Sequence, residues 1–202
     1  MSLITASYLT ERRNIGIMGI LLPLLCWASC LCTPDKPDGW WGSMSATYHT
    51  SPVLAMGLAI VGAFLFSYQG YDKWDRLVNR ISAGCALIVA LFPCSVPWIE
   101  HNIGIFYLNP KVSDVIHAVA AIILFLSFMV NIAFNFTKGN DTKGNKLYKI
   151  IAGLMVLVTI AFALEHAIGL GYFKVFWYEA VELLLFGAAW LYKGKFLKSN
   201  LK

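Results

Sequence analysis

Charge is what this chain has least of. Asp, Glu, Lys and Arg together make up 13% of its 202 residues, about half the share of an ordinary soluble domain, which is about 25%. A chain so poor in charge, 58% apolar and 14% aromatic, has little with which to cover a water-facing surface. Other signatures are missing too. No His-Glu-x-x-His metalloprotease motif, glycine-rich phosphate loop or internal repeat occurs. The five cysteines lack the spacing of a disulfide framework. Cys32 and Cys94 sit near the same end of their helices, so a disulfide between them and an ordinary packing role both remain open. No small-residue cleavage site follows the first apolar run, which comes after Glu11-Arg12-Arg13, so that run reads as a retained helix rather than a signal peptide. The composition predicts a single integral membrane domain over residues 1–202.

Six apolar runs are present, at approximately Ile15–Cys32, Pro52–Tyr68, Ile81–Trp98, Val112–Phe136, Leu147–Leu170 and Val175–Tyr192. Each can cross a hydrocarbon core about 30 Å thick with some tilt. Helices are the expected form, because unsatisfied backbone groups are costly in lipid. The expectation is therefore all-α: a polytopic six-helix bundle with both termini in the cytoplasm.

The positive charges support that topology. Of 16 Lys and Arg residues, only Lys36, Lys111 and Lys174 fall on the outer side of this arrangement. The remaining 13, such as Arg12, Arg76, Lys138 and Lys193, fall on the inner side. That asymmetry is the positive-inside signature, so the net charge of +5 reports orientation and gives no indication of nucleic-acid binding. The inner turn with Asp72, Asp75, Arg76 and Arg80 reads as an interfacial salt-bridge turn. Pro93 and Pro97 predict an opened outer half of the third helix.

With this topology drawn, the ionisable residues inside or beside the spans collect toward the outer leaflet. His49 opens the second span, His117 lies about one turn into the fourth, and His166 lies about one turn from the exit of the fifth. Glu179 and Glu182 stand in the sixth, and Asp114 precedes His117 by one turn. Ionisable groups within spans normally face a cavity or one another, so the layer predicts an outward-opening polar pocket. Three imidazoles with an open fourth position are what a catalytic zinc site requires. His49, His117 and His166 are thus the candidate ligands of a zinc ion whose bound water attacks a lipid-like amide or ester. In that reading Asp114 orients His117, Glu179 or Glu182 moves the proton, and Ser45 steadies the water or oxyanion.

Two other readings share the pocket. In one, a small transporter or proton conductor continues inward through Ser127, Asn131 and Asn135, a polar stripe at helical spacing. That stripe is equally what hydrogen bonding between helices uses. In the other, the protein is a membrane sensor or assembly partner that docks through the loop Asp35–Trp41. A membrane lipid, and a small-molecule or ion ligand, are the partners that follow; the oligomeric state stays open.

The stretch Ser43–Thr50, SMSATYHT, places Ser45 and His49 in a Ser-x-x-x-His element at the start of a membrane helix. This element resembles the CREST superfamily of alkaline-ceramidase and adiponectin-receptor hydrolases, which implies a zinc-dependent membrane amidase. Carry-over is limited to Ser45 and His49, since the sixth span offers Glu179-Ala-Val-Glu182 where that superfamily has paired histidines. Along most of its length the chain is similar to small bacterial six-helix membrane proteins with no assigned reaction. The shared features are SMSATYHT, then GAFLFSYQGYDKWDRLVNRISAGCALIVALFP, a basic loop and a Trp-Tyr-Glu-Ala helix. That likeness implies a multi-pass protein of the bacterial cytoplasmic membrane.

Overall fold

The computed structural model describes residues 3–34, 41–138, 142–169, 171 and 174–199, with 3–8 and 195–199 by backbone alone. Of the loop Asp35–Trp41 proposed for docking, residues 35–40 lie outside the described residues. Six α-helices are found among those described: α1 (Leu3–Leu31), α2 (Val53–Ser67), α3 (Lys73–Leu91), α4 (Pro110–Val130), α5 (Thr142–Ile168) and α6 (Val175–Ser199). The only β pairing among them is an isolated bridge between Ile103 and Leu108.

Among the described residues, four helical stretches are long and apolar enough to cross a membrane: Leu9–Leu31, Pro110–Lys138, Thr142–Ile168 and Val175–Gly194. Apolar α2 is shorter, with 15 residues. Helix α3 carries charge at its start and packs its small residues Ser82, Ala83 and Ala86 inward.

The bundle has two ends. One, where Arg12 donates to the Tyr68 hydroxyl at 2.7 Å, gathers the start of α1, the end of α2 and the start of α3. The opposite end holds His49, between the close of α1 and the start of α2. Helices α1 and α6 are joined by glycine. A Cβ on Gly16 would stand 2.7 Å from the Leu191 nitrogen, and one on Gly187 would stand 2.7 Å from the Gly16 carbonyl. Such backbone-to-backbone approach is what small residues permit in apolar bundles, where lipid removes the hydrophobic drive to associate. The core between the ends is aromatic: Phe128 stacks on Phe186 with centroids 3.9 Å apart, and Trp190 meets Phe136 edge-on at 4.8 Å.

Three elements differ from the sequence expectation. Helix α1 begins at Leu3, well before Ile15, because its polar first turns continue the same helix. Helix α3 stops at Leu91 instead of reaching Trp98, since neither Pro93 nor Pro97 has an N–H to continue the ladder. SMSATYHT does not open an α-helix. Ser45–His49 is a 3₁₀ turn, in which residues three apart eclipse, so Ser45 and His49 point to different partners.

At the Arg12 end, the salt-bridge turn is also rearranged. Asp72 caps α3 by accepting from the Asp75 N–H at 2.8 Å, and it pairs with Lys138 at 2.7 Å. That is the only carboxylate ion pair among the described residues; Arg76 and Arg80 make none. Asp75 is fully buried and accepts from Tyr71 N–H and from Asn79 Nδ2, both at 2.8 Å.

Candidate functional site: a buried serine, histidine and carboxyl at the His49 end

The break in α3 creates the site. Pro97 cannot donate to the Pro93 carbonyl four residues back, and the extended backbone at Phe92 turns neighbouring carbonyls away from the helix axis. Three successive carbonyls then take side-chain donors. Phe92 oxygen meets His117 Nδ1 at 2.7 Å, Pro93 oxygen accepts from the Ser113 hydroxyl at 2.7 Å, and Cys94 oxygen meets His49 Nε2 at 2.8 Å. A carbonyl only accepts, so Nδ1 of His117 and Nε2 of His49 carry protons.

With Nδ1 protonated, the other nitrogen of His117 is the reactive one, and it lies 2.8 Å from Ser45 Oγ. Both residues are buried. On its other side Ser45 Oγ lies 3.1 Å from Glu179 Oε1, while Glu179 Oε2 accepts from the Met44 N–H at 2.5 Å. The 3₁₀ turn, α4 and α6 thus converge on one hydroxyl.

The proton count of this trio is informative. Ser45 has one proton and two neighbours, Nε2 and Oε1. For both contacts to be hydrogen bonds, the trio holds one further proton, either on the Glu179 carboxyl or on His117 Nε2. The hydroxyl can therefore pass a proton between a carboxyl and an imidazole without any change in heavy-atom positions.

The other sequence candidates are distributed differently. Asp114 does not touch the His117 ring; its Oδ1 accepts from the Ser95 N–H at 2.8 Å, and the Phe92 carbonyl orients the imidazole instead. Glu182 faces α5, where Oε1 accepts from Thr159 at 2.9 Å, and its buried Oε2 has no hydrogen-bond partner among the described residues. His166 is exposed on α5, stacked on Phe162 in a groove of about 190 Å³ shared with Glu165 and Tyr178, whose hydroxyl donates to Glu165. His49 borders a separate cleft of about 380 Å³ with Tyr48, Thr50, Ser51, Pro52 and Ala55. It lies outside the spanning helices, and burial lowers its pKa from the ordinary 6.5.

As they stand, His49, His117 and His166 are not arranged as the zinc ligands that the layer of ionisable residues predicts. Both nitrogens of His117 and one of His49 are engaged by protein groups. Among the described residues no three His, Cys, Asp or Glu side chains come together as a metal site. All five cysteines, Cys32 and Cys94 included, are free thiols.

Sequence reasoning missed Phe92, Cys94 and Met44, which act through backbone atoms that residue identity does not advertise. The signal available was the Pro93 and Pro97 pair, which marks carbonyls without helical donors. The chain matches no protein-family model, no curated protein and no solved structure.

Proposed function

We propose that the protein is a six-span protein of the bacterial cytoplasmic membrane, with its Arg12 end in the cytoplasm, and that it hydrolyses a lipid-like ester or amide at its outward-facing His49 end. The observation that carries this reading is Ser45 Oγ at 2.8 Å from His117 Nε2, with the opposite ring nitrogen held by the Phe92 carbonyl at 2.7 Å. That is a nucleophile beside a base whose tautomer is fixed by a third group, the arrangement that activates a serine hydroxyl.

In the proposed reaction, Ser45 Oγ attacks the substrate carbonyl carbon as its proton passes to His117 Nε2. His117 returns that proton to the departing alcohol or amine, leaving an acyl-serine. Water, deprotonated by His117, then attacks the acyl carbon and restores the Ser45 hydroxyl. Glu179, held by the Met44 N–H, withdraws its hydrogen bond from Ser45 as the proton moves toward His117. The reading routes no step through zinc.

A conducting path through the bundle has less support. The polar groups of the two ends are separated along α4 by the ten positions from His117 to Ser127, about 15 Å of helix. Buried Ala86, Val89, Ala120 and Leu124 fill that stretch.

The test is turnover of long-chain esters and amides by the full chain in liposomes. Fatty-acid release that disappears in Ser45→Ala supports the reading. Release that survives Ser45→Ala, or no release from any substrate by a folded wild-type protein, overturns it.

A further inference from the structure

Among the described residues, the loop between α3 and α4 contains the most exposed apolar tripeptide outside the helices. Ile105, Phe106 and Tyr107 are 66%, 54% and 70% exposed. They form the tip of a small hairpin closed by the reciprocal bonds Ile103 N–H to Leu108 oxygen, 2.8 Å, and Leu108 N–H to Ile103 oxygen, 3.0 Å. Tyr107 N–H also returns to the Gly104 oxygen at 3.1 Å. Gly104 and Tyr107 adopt positive φ, 71° and 49°, which makes the reversal tight, while the backbone N–H and C=O groups of Ile105 and Phe106 make no hydrogen bond among the described residues.

The hairpin folds back along the bundle instead of projecting away from it. Phe106 stacks on Phe92 with centroids 5.0 Å apart, and a Cβ on Gly104 would lie 2.8 Å from Pro93 Cδ. Phe92 is level with His117, because its carbonyl touches that ring. His117 is seven residues into α4 from Pro110, so the tip sits about 10 Å below the start of that helix. At this depth α4 exposes Val112, Val115 and Val119, and α3 exposes Leu91. The residues flanking the hairpin, Glu100, His101, Asn109 and Lys111, are exposed and polar.

The geometry points to an interfacial lipid anchor: Ile105, Phe106 and Tyr107 enter the headgroup–acyl boundary of the leaflet at the His49 end, continuous with the apolar flank of α4. The hydrocarbon core penalises the unpaired backbone groups of residues 105 and 106, so the tip stops at the headgroup–acyl boundary, where water reaches those groups and rings such as that of Tyr107 settle. The anchor bears on Phe92 and Pro93, the segment that holds His117 and Ser113, so lipid contacts the support of the proposed catalytic pair. This inference rests on the membrane placement in the preceding reading.

Nitroxide labels at Tyr107→Cys and, separately, Ile105→Cys test it in a Cys32→Ser background, with the unlabelled-position parent as the blank and the protein in phosphatidylcholine liposomes. Collision with oxygen exceeding collision with a water-soluble nickel chelate at both positions, and the reverse at His101→Cys, is the expected result. Nickel access at 105 and 107 equal to that at 101 would place the tip in water and overturn the proposal, as would exclusion of both reagents, which means protein cover. If one variant fails to fold, the other gives the result. Ester release by the same samples separates the two ideas: release with an aqueous tip removes the anchor and leaves the hydrolase standing, whereas an immersed tip without release does the opposite.

Discussion

At the Arg12 end, Asn79 donates to Asp75, Asn131 donates to Asn79 at 2.9 Å, and Asn135 donates to Asn131 at 3.1 Å. This is a chain of amides running from a buried carboxylate, in which Asn79 also donates back to Asn131 Oδ1 at 3.5 Å, and a single π turn at Asn131–Asn135 supplies two of its members. At the His49 end, one hydroxyl lies between an imidazole and a carboxyl with one proton to share. The first arrangement assigns each bond a fixed donor and ties α3 to α4. The second leaves the proton with two places to go. Burial and polarity are common to both ends, so neither identifies chemistry by itself; the distinguishing feature is whether a proton can move without side chains moving.

Substitutions at the two ends should therefore separate reactivity from stability. The largest effect is expected at His117. In His117→Gln, the rate at which a long-chain fluorophosphonate labels the protein should fall about 10²- to 10⁴-fold, the usual contribution of a positioned base, with the elution profile and helical content unchanged. Asn79→Leu at the other end should do the reverse. It leaves Asp75 and Asn131 short of partners, costing about 1–3 kcal/mol, so thermal unfolding moves down while labelling of the folded protein keeps its rate. Equal loss of labelling in both variants would erase the distinction.

A smaller effect tests the proton count. In Glu179→Gln, the amide can donate to Ser45, which leaves the hydroxyl proton to His117, so labelling should persist and rise. Abolished labelling would make Glu179 the base and remove that role from His117. The smallest expected effect concerns His49. Its pKa in the folded protein lies below the ordinary 6.5 because of burial, so the unfolded chain binds the proton more readily. Stability should be complete above pH 6.5 and decline as the pH falls through and below that value. His49→Gln should show a shallower decline in thermal midpoint between pH 7.5 and 5.5; an identical slope would show that His49 titrates alike in both states.

Much of this was readable from composition and spacing. Apolar runs located the helices, and of the stripe Ser127, Asn131 and Asn135 the first two bond across to α3, at Ser82 and Asn79, while Asn135 bonds to Asn131. Ser45, His117 and Glu179 were all candidates. What the sequence could not convey was their geometry. The 3₁₀ turn separates Ser45 from His49, which the i, i+4 spacing had placed on one face. The broken end of α3 hands His117 a carbonyl where a carboxylate, Asp114, was expected. Helical spacing put Glu179 and Glu182 together, yet they face different neighbours, the 43–50 segment and α5. Backbone atoms freed by proline decided the site, and one-letter patterns record side chains only.

The central claim is that Ser45 is a nucleophile made reactive by His117. Its most direct test is peptide mapping by mass spectrometry after exposing the liposome-embedded protein to a long-chain fluorophosphonate. A single phosphonyl adduct on Ser45 in the wild type, and its near absence in His117→Gln, is the expected result. An unmodified Ser45 in folded wild-type protein, or an adduct that forms equally fast without His117, would contradict it.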